Sequence, residues 1–269
     1  MKKTNIFNCD CMKILPKLED NSIDVFILDL PYGQTSCSWD IKIDLKEMWK
    51  HIKRLRKNKK TPIIFFCTTR FGYELINSNK EWFRYDLILT KSRAVGFLNC
   101  KKMPMRSHEM IYVFSEESSY YYPLKFGSKK INRKNSSKKS GGIYGCLKKG
   151  EYEVELVGKY STSVLYTNIS NNNNFHPTQK PLSILEYLVC SYSKENDVIC
   201  DFTMGCGSTG IAALLNNRRF IGVEMDRKYY NIAKNNLMIA ECGDVPKNTT
   251  IYNRLELSID GDISGISKL

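Results

Sequence analysis

The chain has 269 residues, of which 42% are hydrophobic, and a formal net charge of +13. This length can bury one α/β core with an insertion, whereas no run of about 18 apolar residues and no apolar signal region occurs, so we expect a soluble, cytoplasmic protein. The ten cysteines contain no Cys-x-x-Cys pair and the three histidines are far apart, which predicts reduced thiols and no metal site.

Seven short apolar runs, rich in β-branched and aromatic residues, predict strands. In chain order these are Asn5–Cys9, Ile23–Asp29, Pro62–Cys67, Tyr85–Thr90, Met110–Ser115, Asp197–Asp201 and Arg219–Glu224. Their nearly continuous hydrophobicity is typical of a sheet that is covered on both faces.

Helical patterns lie between many of these strands. The apolar residues from Leu45 to Leu55 follow i, i+3, i+4, i+7 spacing, and Ile184–Val189 repeats it with Pro181 in the first turn. Ser208–Leu215 and Tyr229–Ala240 predict two more helices. Strands that alternate with helices predict an α/β fold with a doubly wound, mostly parallel, seven-stranded sheet.

The segment 116–175 interrupts this alternation, since it is rich in Gly, Ser, Asn and Lys, and we interpret it as an insertion. Residues 125–150 include nine basic residues and no acidic one. This composition is typical of a flexible basic loop, which either contacts a polyanion or is a solvated surface segment. The tail 243–269 has no clear helical period and is assigned no role.

A glycine-containing turn follows the strand that ends at Asp201. Gly205 and Gly207 allow a sharp turn and a close approach of a ligand, and Glu224 ends the next strand. An acid about 15–20 residues after such a turn is suited to ribose hydroxyls, which predicts a nucleoside ligand. Gly210 does not have the spacing of the dinucleotide fingerprint, which disfavours NAD and leaves S-adenosylmethionine. The alternative is a tight strand–helix turn without a ligand.

A second group of functional side chains follows the strand that ends at Asp29. Asp29, Leu30, Pro31 and Tyr32 bring a carboxylate, a carbonyl group before a proline, and an aromatic ring to the carboxyl end of a strand. Ligands bind at this edge of open α/β sheets. An ordinary proline turn is the alternative interpretation.

Three motifs together resemble a known family. Residues 29–32 resemble the Asp-Pro-Pro-Tyr motif of amino-methyltransferases, and residues 201–209 resemble their cofactor motif, Asp-Pro-Phe-x-Gly-x-Gly-Thr-Thr. Residues 176–181 match a third motif, His-Pro-Thr-Gln-Lys-Pro. The motif order is that of β-group DNA amino-methyltransferases, and the resemblance covers about Asn5 to Ala240. The sequence departs from the motifs at Leu30, where only the carbonyl group is needed, at Thr203 in place of Phe, next to Phe202, and at Ser208 in place of Thr.

The resemblance implies a Rossmann-like methyltransferase fold and an S-adenosylmethionine-dependent enzyme that methylates an exocyclic amino group of double-stranded DNA by base flipping. Cytosine-N4 enzymes more often have Ser at the position of Asp29, so N6 of adenine is the expected target. The alternatives are an N4-cytosine enzyme and a non-catalytic DNA-binding module. The expected domains are a catalytic half (1–115), a target-recognition insertion (116–175), a cofactor-binding half (176–242) and the tail. A homodimer and a cognate restriction endonuclease stay open as partners.

The resemblance also implies residue roles. Asp29 and the Leu30 carbonyl group would accept hydrogen bonds from the target amine, with Pro31 in the same motif, and Tyr32 would stack on the base. For the cofactor, the implied residues are Asp10 and Cys11 at the adenine, Glu224 at the ribose, Phe202, Thr203, Gly205, Gly207 and Ser208 at the methionine portion, His176, Thr178 and Lys180 near its carboxylate, and Asp29 at its amino group. Asp10 as a simple helix cap is the alternative. The implied phosphate contacts are Lys125, Lys129, Lys130, Arg133, Lys134, Lys138 and Lys139.

Overall fold

The computed structural model describes residues 3–33, 42–134, 153–166 and 180–246. Within these ranges the strands are β1 (Thr4–Asn8), β2 (Val25–Asp29), β3 (Ile63–Cys67), β4 (Phe83–Val95), β5 (Arg106–Phe114), β6 (Lys125–Lys134), β7 (Glu153–Tyr160), β8 (Val164–Leu165), β9 (Val198–Asp201) and β10 (Arg219–Glu224). The α-helices are α1 (Cys11–Ile14), α2 (Leu45–Leu55), α3 (Thr69–Ser78), α4 (Leu182–Tyr192), α5 (Ser208–Leu215) and α6 (Arg227–Glu241). None of the helices in these ranges is long and apolar enough to cross a membrane.

The main sheet has the strand order β1-β10-β9-β2-β3-β5-β4-β8. Among the described strands of this sheet only β5 runs against the others, because it pairs antiparallel with both β3 and β4. The predicted α/β class and mostly parallel sheet are confirmed. The described sheet has eight strands rather than the predicted seven, because β8 pairs with β4 at the edge. Two residues in a polar segment are too few for β8 to show a periodic pattern.

Helices cover both faces of the sheet, and the side chains of each strand alternate between two apolar clusters. Val25 and Ile27 of β2 pack in the cluster that includes α4, α5 and α6. Phe26 and Leu28 pack in the opposite cluster, with α2 and α3. This alternation explains why the central strands are apolar throughout, since both of their faces are buried.

Two helices differ from the prediction. Helix α3 was not predicted, because Gly72 and the short apolar pattern of Phe71 and Leu75 give a weak helical signal, although the Thr68 hydroxyl caps the helix at the Phe71 amide. Pro181 is the N-cap of α4, not a residue of its first turn. Helix α4 is buried over most of its length, so its amphipathic pattern is weak.

The basic segment was predicted to be a flexible loop, but its first part is a strand. β6 pairs antiparallel with β7 as a separate two-stranded sheet, with Ile131 opposite Leu156 and Arg133 opposite Val154. The alternating apolar residues of β7 favour this pairing. The many basic residues of β6 gave no apolar pattern from which a strand could be predicted. Residues 135–152, and with them Lys138 and Lys139, lie outside the described residues.

Candidate active site

A cavity of about 440 Å³ lies at the carboxyl ends of β2 and β9. The two strands are parallel neighbours, with Phe26 opposite Cys200. The chain leaves these two strands in opposite directions along the sheet. From β2 it continues to β3 on one side, and from β9 it continues to β10 on the other. Ligands bind at such switch points of doubly wound sheets. Both the Asp29–Tyr32 motif and the Gly205 turn line this cavity, as the sequence predicts.

The glycine turn depends on two residues with left-handed backbone conformation. Gly205 has φ 52° and Gly207 has φ 83°, and α5 begins at the next residue, Ser208. A Cβ atom on Gly207 would lie 3.1 Å from the Cβ of Ala233, so the missing side chain also lets α6 approach. Gly207 itself does not line the cavity, and it contributes to the turn through its backbone conformation and its contact with α6.

Glu224 lies at the end of β10 and holds the glycine turn. Its Oε2 accepts a hydrogen bond of 2.9 Å from the Gly205 amide, and its Oε1 accepts one of 2.7 Å from the Asp226 amide. Burial raises the pKa of Glu224 above its usual value. The carboxylate lines the cavity, and its two oxygens have further acceptor capacity for a ligand.

The start of α1 lies beside Glu224, because β1 pairs with β10 and the Cys9 amide donates to the Glu224 carbonyl oxygen. Asp10 caps α1 by accepting a 2.9 Å hydrogen bond from the Met12 amide, as the helix-cap interpretation predicts. Burial, with the negative charge of Asp10, raises the pKa of the Cys11 thiol to about 12. Asp10 and Cys11 both line the cavity, Asp10 as a polar acceptor and Cys11 as a neutral thiol.

Asp201 is a buried acid of the cavity wall to which the sequence analysis gave no role. It accepts a 3.1 Å hydrogen bond from the Thr203 amide and is only 4% exposed. Burial raises the pKa of Asp201 to about 7, although bonds from Thr209 and Thr203 act in the opposite direction. Phe202, next to it, is buried in the core beneath the turn.

Tyr32 is folded back onto Asp29. Its hydroxyl donates to Asp29 Oδ1 at 2.7 Å and lies 2.9 Å from the carbonyl oxygen of Phe66. Its ring packs on Phe71, with 4.9 Å between ring centroids. Burial and the Asp29 charge raise the pKa of Tyr32 well above its usual value, so the hydroxyl stays protonated and can donate.

Four charged side chains of alternating sign lie in a row from the cavity outward. Lys180 Nζ is 2.8 Å from Asp29 Oδ2 and 3.3 Å from Glu109 Oε2, and Lys91 Nζ is 2.6 Å from Glu109 Oε1. Burial lowers the pKa of Lys180, but Asp29 and Glu109 outweigh it and raise that pKa above its usual range. Burial likewise raises the pKa of Glu109, while Lys180 and Lys91 hold it below its usual range. Lys180 and Glu109 are therefore both charged near neutral pH.

The structure thus brings most of the predicted site residues together. The predicted residues that line the cavity are Asp10, Cys11, Asp29, Leu30, Pro31, Tyr32, Lys180, Phe202, Thr203, Gly205, Ser208 and Glu224. His176 and Thr178 lie outside the described residues. The sequence analysis gave no role to Glu109 and Lys91, because neither lies in one of the three motifs.

Lys125, one of the predicted phosphate contacts, is not among the residues that line this cavity. Lys125 is exposed, and its Nζ lies 5.2 Å from the centroid of the Tyr160 ring. Lys129, Lys130, Arg133 and Lys134 lie along β6. In the described part of the chain no group of three or more His, Cys, Asp or Glu side chains is arranged to hold a metal ion.

Comparison of the sequence with known proteins identifies a family for this chain. A family model described as DNA methylase matches residues 23–235. The chain is 47% identical over 268 residues to the Type II methyltransferase M2.LlaDCHI of Lactococcus lactis subsp. cremoris, which covers 86% of this chain and 88% of the relative. It is 24% identical over 310 residues to the Type II methyltransferase M.HindIII of Haemophilus influenzae, with coverage of 93% and 98%.

Solved structures show the same fold. The M1.HpyAVI–SAM complex matches with a TM-score of 0.56 at 21% identity, and covers 86% of this chain and 98% of that one. The cytosine-N4-specific PvuII DNA methyltransferase matches with a TM-score of 0.62 at 12% identity, with coverage of 87% and 86%. With a family match over most of its length and a relative of nearly half-identical sequence, the chain belongs to the N6/N4 family of DNA methylases.

Proposed function

We propose that this protein transfers the methyl group of S-adenosylmethionine to N6 of an adenine that has been extruded from double-stranded DNA. The observation that carries the proposal is the shared cavity, in which the Asp29–Tyr32 motif faces the Gly205 turn and Glu224. One cavity can therefore receive a nucleoside-type cofactor and a base at the same time. Its volume of about 440 Å³ suits a small-molecule ligand.

The cavity lining fits the charge of this cofactor. Six acidic residues contribute to it, namely Asp10, Asp29, Asp44, Glu109, Asp201 and Glu224, against the cations Lys42 and Lys180. Lys42 is paired outward with Glu74 at 2.8 Å. The negative surplus favours a ligand with a sulfonium and an ammonium group. The bound cofactor supplies a methyl group that is already activated, so the protein supplies position and electrostatics.

The cofactor contacts follow from the placement of the side chains. Glu224 accepts hydrogen bonds from the ribose hydroxyls, and the start of α1, with Asp10 and Cys11, lies at the adenine end because β1 pairs with β10. Thr203, Gly205 and Ser208 surround the methionine portion, and Asp29 contacts its amino group. His176, Thr178 and Lys180 are the proposed neighbours of its carboxylate.

Asp29 is the proposed acceptor for the target amine. An adenine amine is a poor nucleophile because its lone pair is delocalised into the ring, and hydrogen bonds from its two N–H groups to fixed acceptors localise that pair. Asp29 Oδ1 and the Leu30 carbonyl oxygen are these acceptors. In the structure the Tyr32 hydroxyl occupies Oδ1, so the amine takes over this position when Tyr32 turns to stack on the base. Asp29 is also the nearest base for the proton that leaves the methylated nitrogen.

The carboxylate of Asp29 is what favours adenine over cytosine. Enzymes that methylate N4 of cytosine more often have Ser at this position, so N4 of cytosine is the second candidate. A non-catalytic DNA-binding module is the third, and the complete set of Asp29, Tyr32 and the glycine turn argues against it.

The basic residues of the 116–175 segment are the proposed contact to the DNA backbone and to the target sequence, between the two methyltransferase halves 1–115 and 176–242. Lys125, Lys129, Lys130, Arg133 and Lys134 lie on β6, which with β7 forms a sheet separate from the main one. Lys138 and Lys139 stay predicted contacts. We place the enzyme in the cytoplasm, with the DNA it modifies, and pair it with a restriction endonuclease, since its relatives are Type II methyltransferases. A homodimer is compatible with this assignment.

The test is methyl transfer from tritium-labelled S-adenosylmethionine to duplex DNA, followed by digestion and separation of the nucleosides. We expect the label in N6-methyladenine for the wild type and none for Asp29→Ala. Label in N4-methylcytosine would establish the second candidate instead. Equal DNA binding by both proteins, without transfer by either, would identify a binding module.

A further inference from the structure

The connection between β4 and β5 carries an exposed apolar surface. Residues 94–105, which we term the hairpin tip, are all exposed. Among them are five large apolar side chains, those of Val95, Phe97, Leu98, Met103 and Met105. The side chain of Leu98 is 97% exposed and that of Phe97 is 72% exposed. Monomeric proteins rarely present such a concentration of apolar side chains unless it serves to bind a partner.

The hairpin tip is a folded element. Phe97–Asn99 forms a 3-10 helix after Gly96, whose φ of 93° turns the chain. The Asn99 amide donates to the Gly96 carbonyl oxygen at 2.9 Å, and the Lys102 amide donates to that of Asn99, also at 2.9 Å. The apolar side chains are therefore held outward on a defined backbone, so a partner would not have to order the tip upon binding.

The hairpin tip projects from the edge of the sheet that contains the active site. β4 runs in the same direction as β3 and β2, so its carboxyl end lies at the edge where β2 ends in Asp29. Glu109, which lines the cavity, pairs with Leu89 of β4. From Glu109 the hairpin continues to Arg106, a distance of about 10 Å at the usual rise per strand residue. The tip thus extends beyond Glu109 at the same edge of the sheet as the cavity.

The charges around the hairpin tip identify the class of partner. No acidic residue occurs between Asp86 and Glu109, whereas five basic residues do, namely Lys91, Arg93, Lys101, Lys102 and Arg106. Lys101 and Lys102 are exposed on the tip itself. In a two-fold dimer formed through the tip these like charges would face each other, which costs energy. Nucleic acid instead pairs the cations with phosphates and the apolar side chains with stacked bases.

We propose that the hairpin tip is a wedge, in which Phe97 and Leu98 enter the base stack beside the target adenine and hold open the space it leaves. Lys101 and Lys102 contact the flanking phosphates. Apolar side chains inserted between base steps are a general means of unstacking a duplex, and extrusion of a base requires such unstacking. This role rests on the proposed function, since the extruded base must enter the cavity at the same edge of the sheet.

The experiment compares two duplexes in single-turnover methylation, one with the target adenine paired and one with it opposite an abasic site. For the Phe97→Ala/Leu98→Ala variant we expect a loss of at least about 10-fold on the paired duplex and a rate within about 3-fold of wild type on the abasic duplex, where the base is already unpaired. With 2-aminopurine as target base, binding of the wild type should raise the fluorescence and binding of the variant should not.

Two control variants separate the causes. Lys101→Gln/Lys102→Gln should weaken binding to both duplexes equally and reduce the slope of log affinity against log salt by about 2. Met238→Ala/Ile239→Ala, which removes exposed apolar side chains on α6, should behave as the wild type.

Equal wild-type and Phe97→Ala/Leu98→Ala rates on the paired duplex, or an equal loss on both duplexes, would overturn the wedge. If sedimentation shows that the wild type is a dimer and this variant a monomer, the tip joins two copies of the chain instead. Failure of the wild type to methylate either duplex would refute the proposed function, and is thus distinguishable from failure of the wedge.

Discussion

The ammonium group of Lys180 lies 2.8 Å from Asp29 Oδ2 and is shared with Glu109, at 3.3 Å from Oε2. Lys180 also lies over the Phe66 ring, with 5.2 Å between Nζ and the ring centroid. The Asp29 side chain is thereby fixed from one side by a cation and from the other by the Tyr32 hydroxyl. A carboxylate held in one orientation is preorganised to accept a hydrogen bond from a substrate amine.

Lys180→Met should destabilise the fold and slow methyl transfer. It leaves Asp29 and Glu109 without their shared cation, and loss of one partner from a buried ion pair costs roughly 3–5 kcal/mol. Urea unfolding measures this cost. Addition of Asp29→Asn to Lys180→Met should recover part of it, on the order of 1 kcal/mol, because the carboxylate closest to the lost cation is removed, whereas Glu109 keeps its pair with Lys91. A double variant no more stable than Lys180→Met would contradict the shared-cation interpretation.

Substitutions of Tyr32 should separate its ring from its hydroxyl. Tyr32→Ala removes the stacking platform, which is worth roughly 1–3 kcal/mol per base and corresponds to about 5- to 150-fold in kcat/KM. Tyr32→Phe keeps the ring and removes only the hydroxyl, with its contacts to Asp29 Oδ1 and the Phe66 carbonyl oxygen. Lys180 still holds Asp29, so kcat/KM should stay within about 3-fold of wild type. Steady-state kinetics on a duplex substrate measures both. An equal loss in the two variants would show that the hydroxyl, and not the ring, is required.

Asp201→Asn should stabilise the cofactor-free protein in a pH-dependent manner. Burial raises the pKa of Asp201 from 3.8 to about 7, so the native state binds a proton that the unfolded state loses near pH 4. The contribution of Asp201 to the unfolding free energy of the wild type is therefore fully present below about pH 4. It declines by roughly 1.4 kcal/mol per pH unit until about pH 7. Asn does not titrate and avoids this decline.

Thermal unfolding of both proteins at pH 5 and pH 8 measures this effect. The advantage of Asp201→Asn should increase by roughly 2–3 kcal/mol between the two conditions and stay constant above about pH 7. A difference between the proteins that does not change with pH would show that Asp201 titrates normally.

The two turn glycines should respond differently to alanine. Gly207→Ala places a methyl group 3.1 Å from Ala233 Cβ at a φ of 83°, and should reduce the unfolding free energy by about 1–3 kcal/mol. Gly205→Ala meets no atom within 4 Å at a φ of 52°, but its methyl group lies at the cavity, so it should mainly weaken cofactor affinity. Thermal unfolding and calorimetric titration with S-adenosylmethionine measure the two effects, and the reverse assignment would contradict the turn geometry.

Strand signals along the chain predict the sheet well where both faces are buried. The predicted ends at Asp29 and Glu224 agree with the structure, and these ends place the two acids of the site. The outer part of β4 and the strand β6 were missed, because exposed or basic residues there show no apolar alternation. The apolar pattern along the chain does not predict such strands, since pairing with a neighbouring strand stabilises them.

The sequence does not predict the ion pairs that join distant parts of the chain in the site. Glu109 lies on β5, the antiparallel strand, and reaches Lys180 only because β5 is inserted between β3 and β4. No spacing along the chain predicts that arrangement. The same holds for the buried state of Asp201, which depends on packing around the glycine turn.

The role of Asp29 is tested most directly by the single-turnover rate of N6-methyladenine formation by wild type and Asp29→Ala, at concentrations of S-adenosylmethionine and duplex that saturate both proteins. If Asp29 accepts the hydrogen bond from the target amine, the variant should bind both ligands but form product at least about 100-fold more slowly. A variant that forms N6-methyladenine at the wild-type rate would contradict the role of Asp29 on which the mechanism depends.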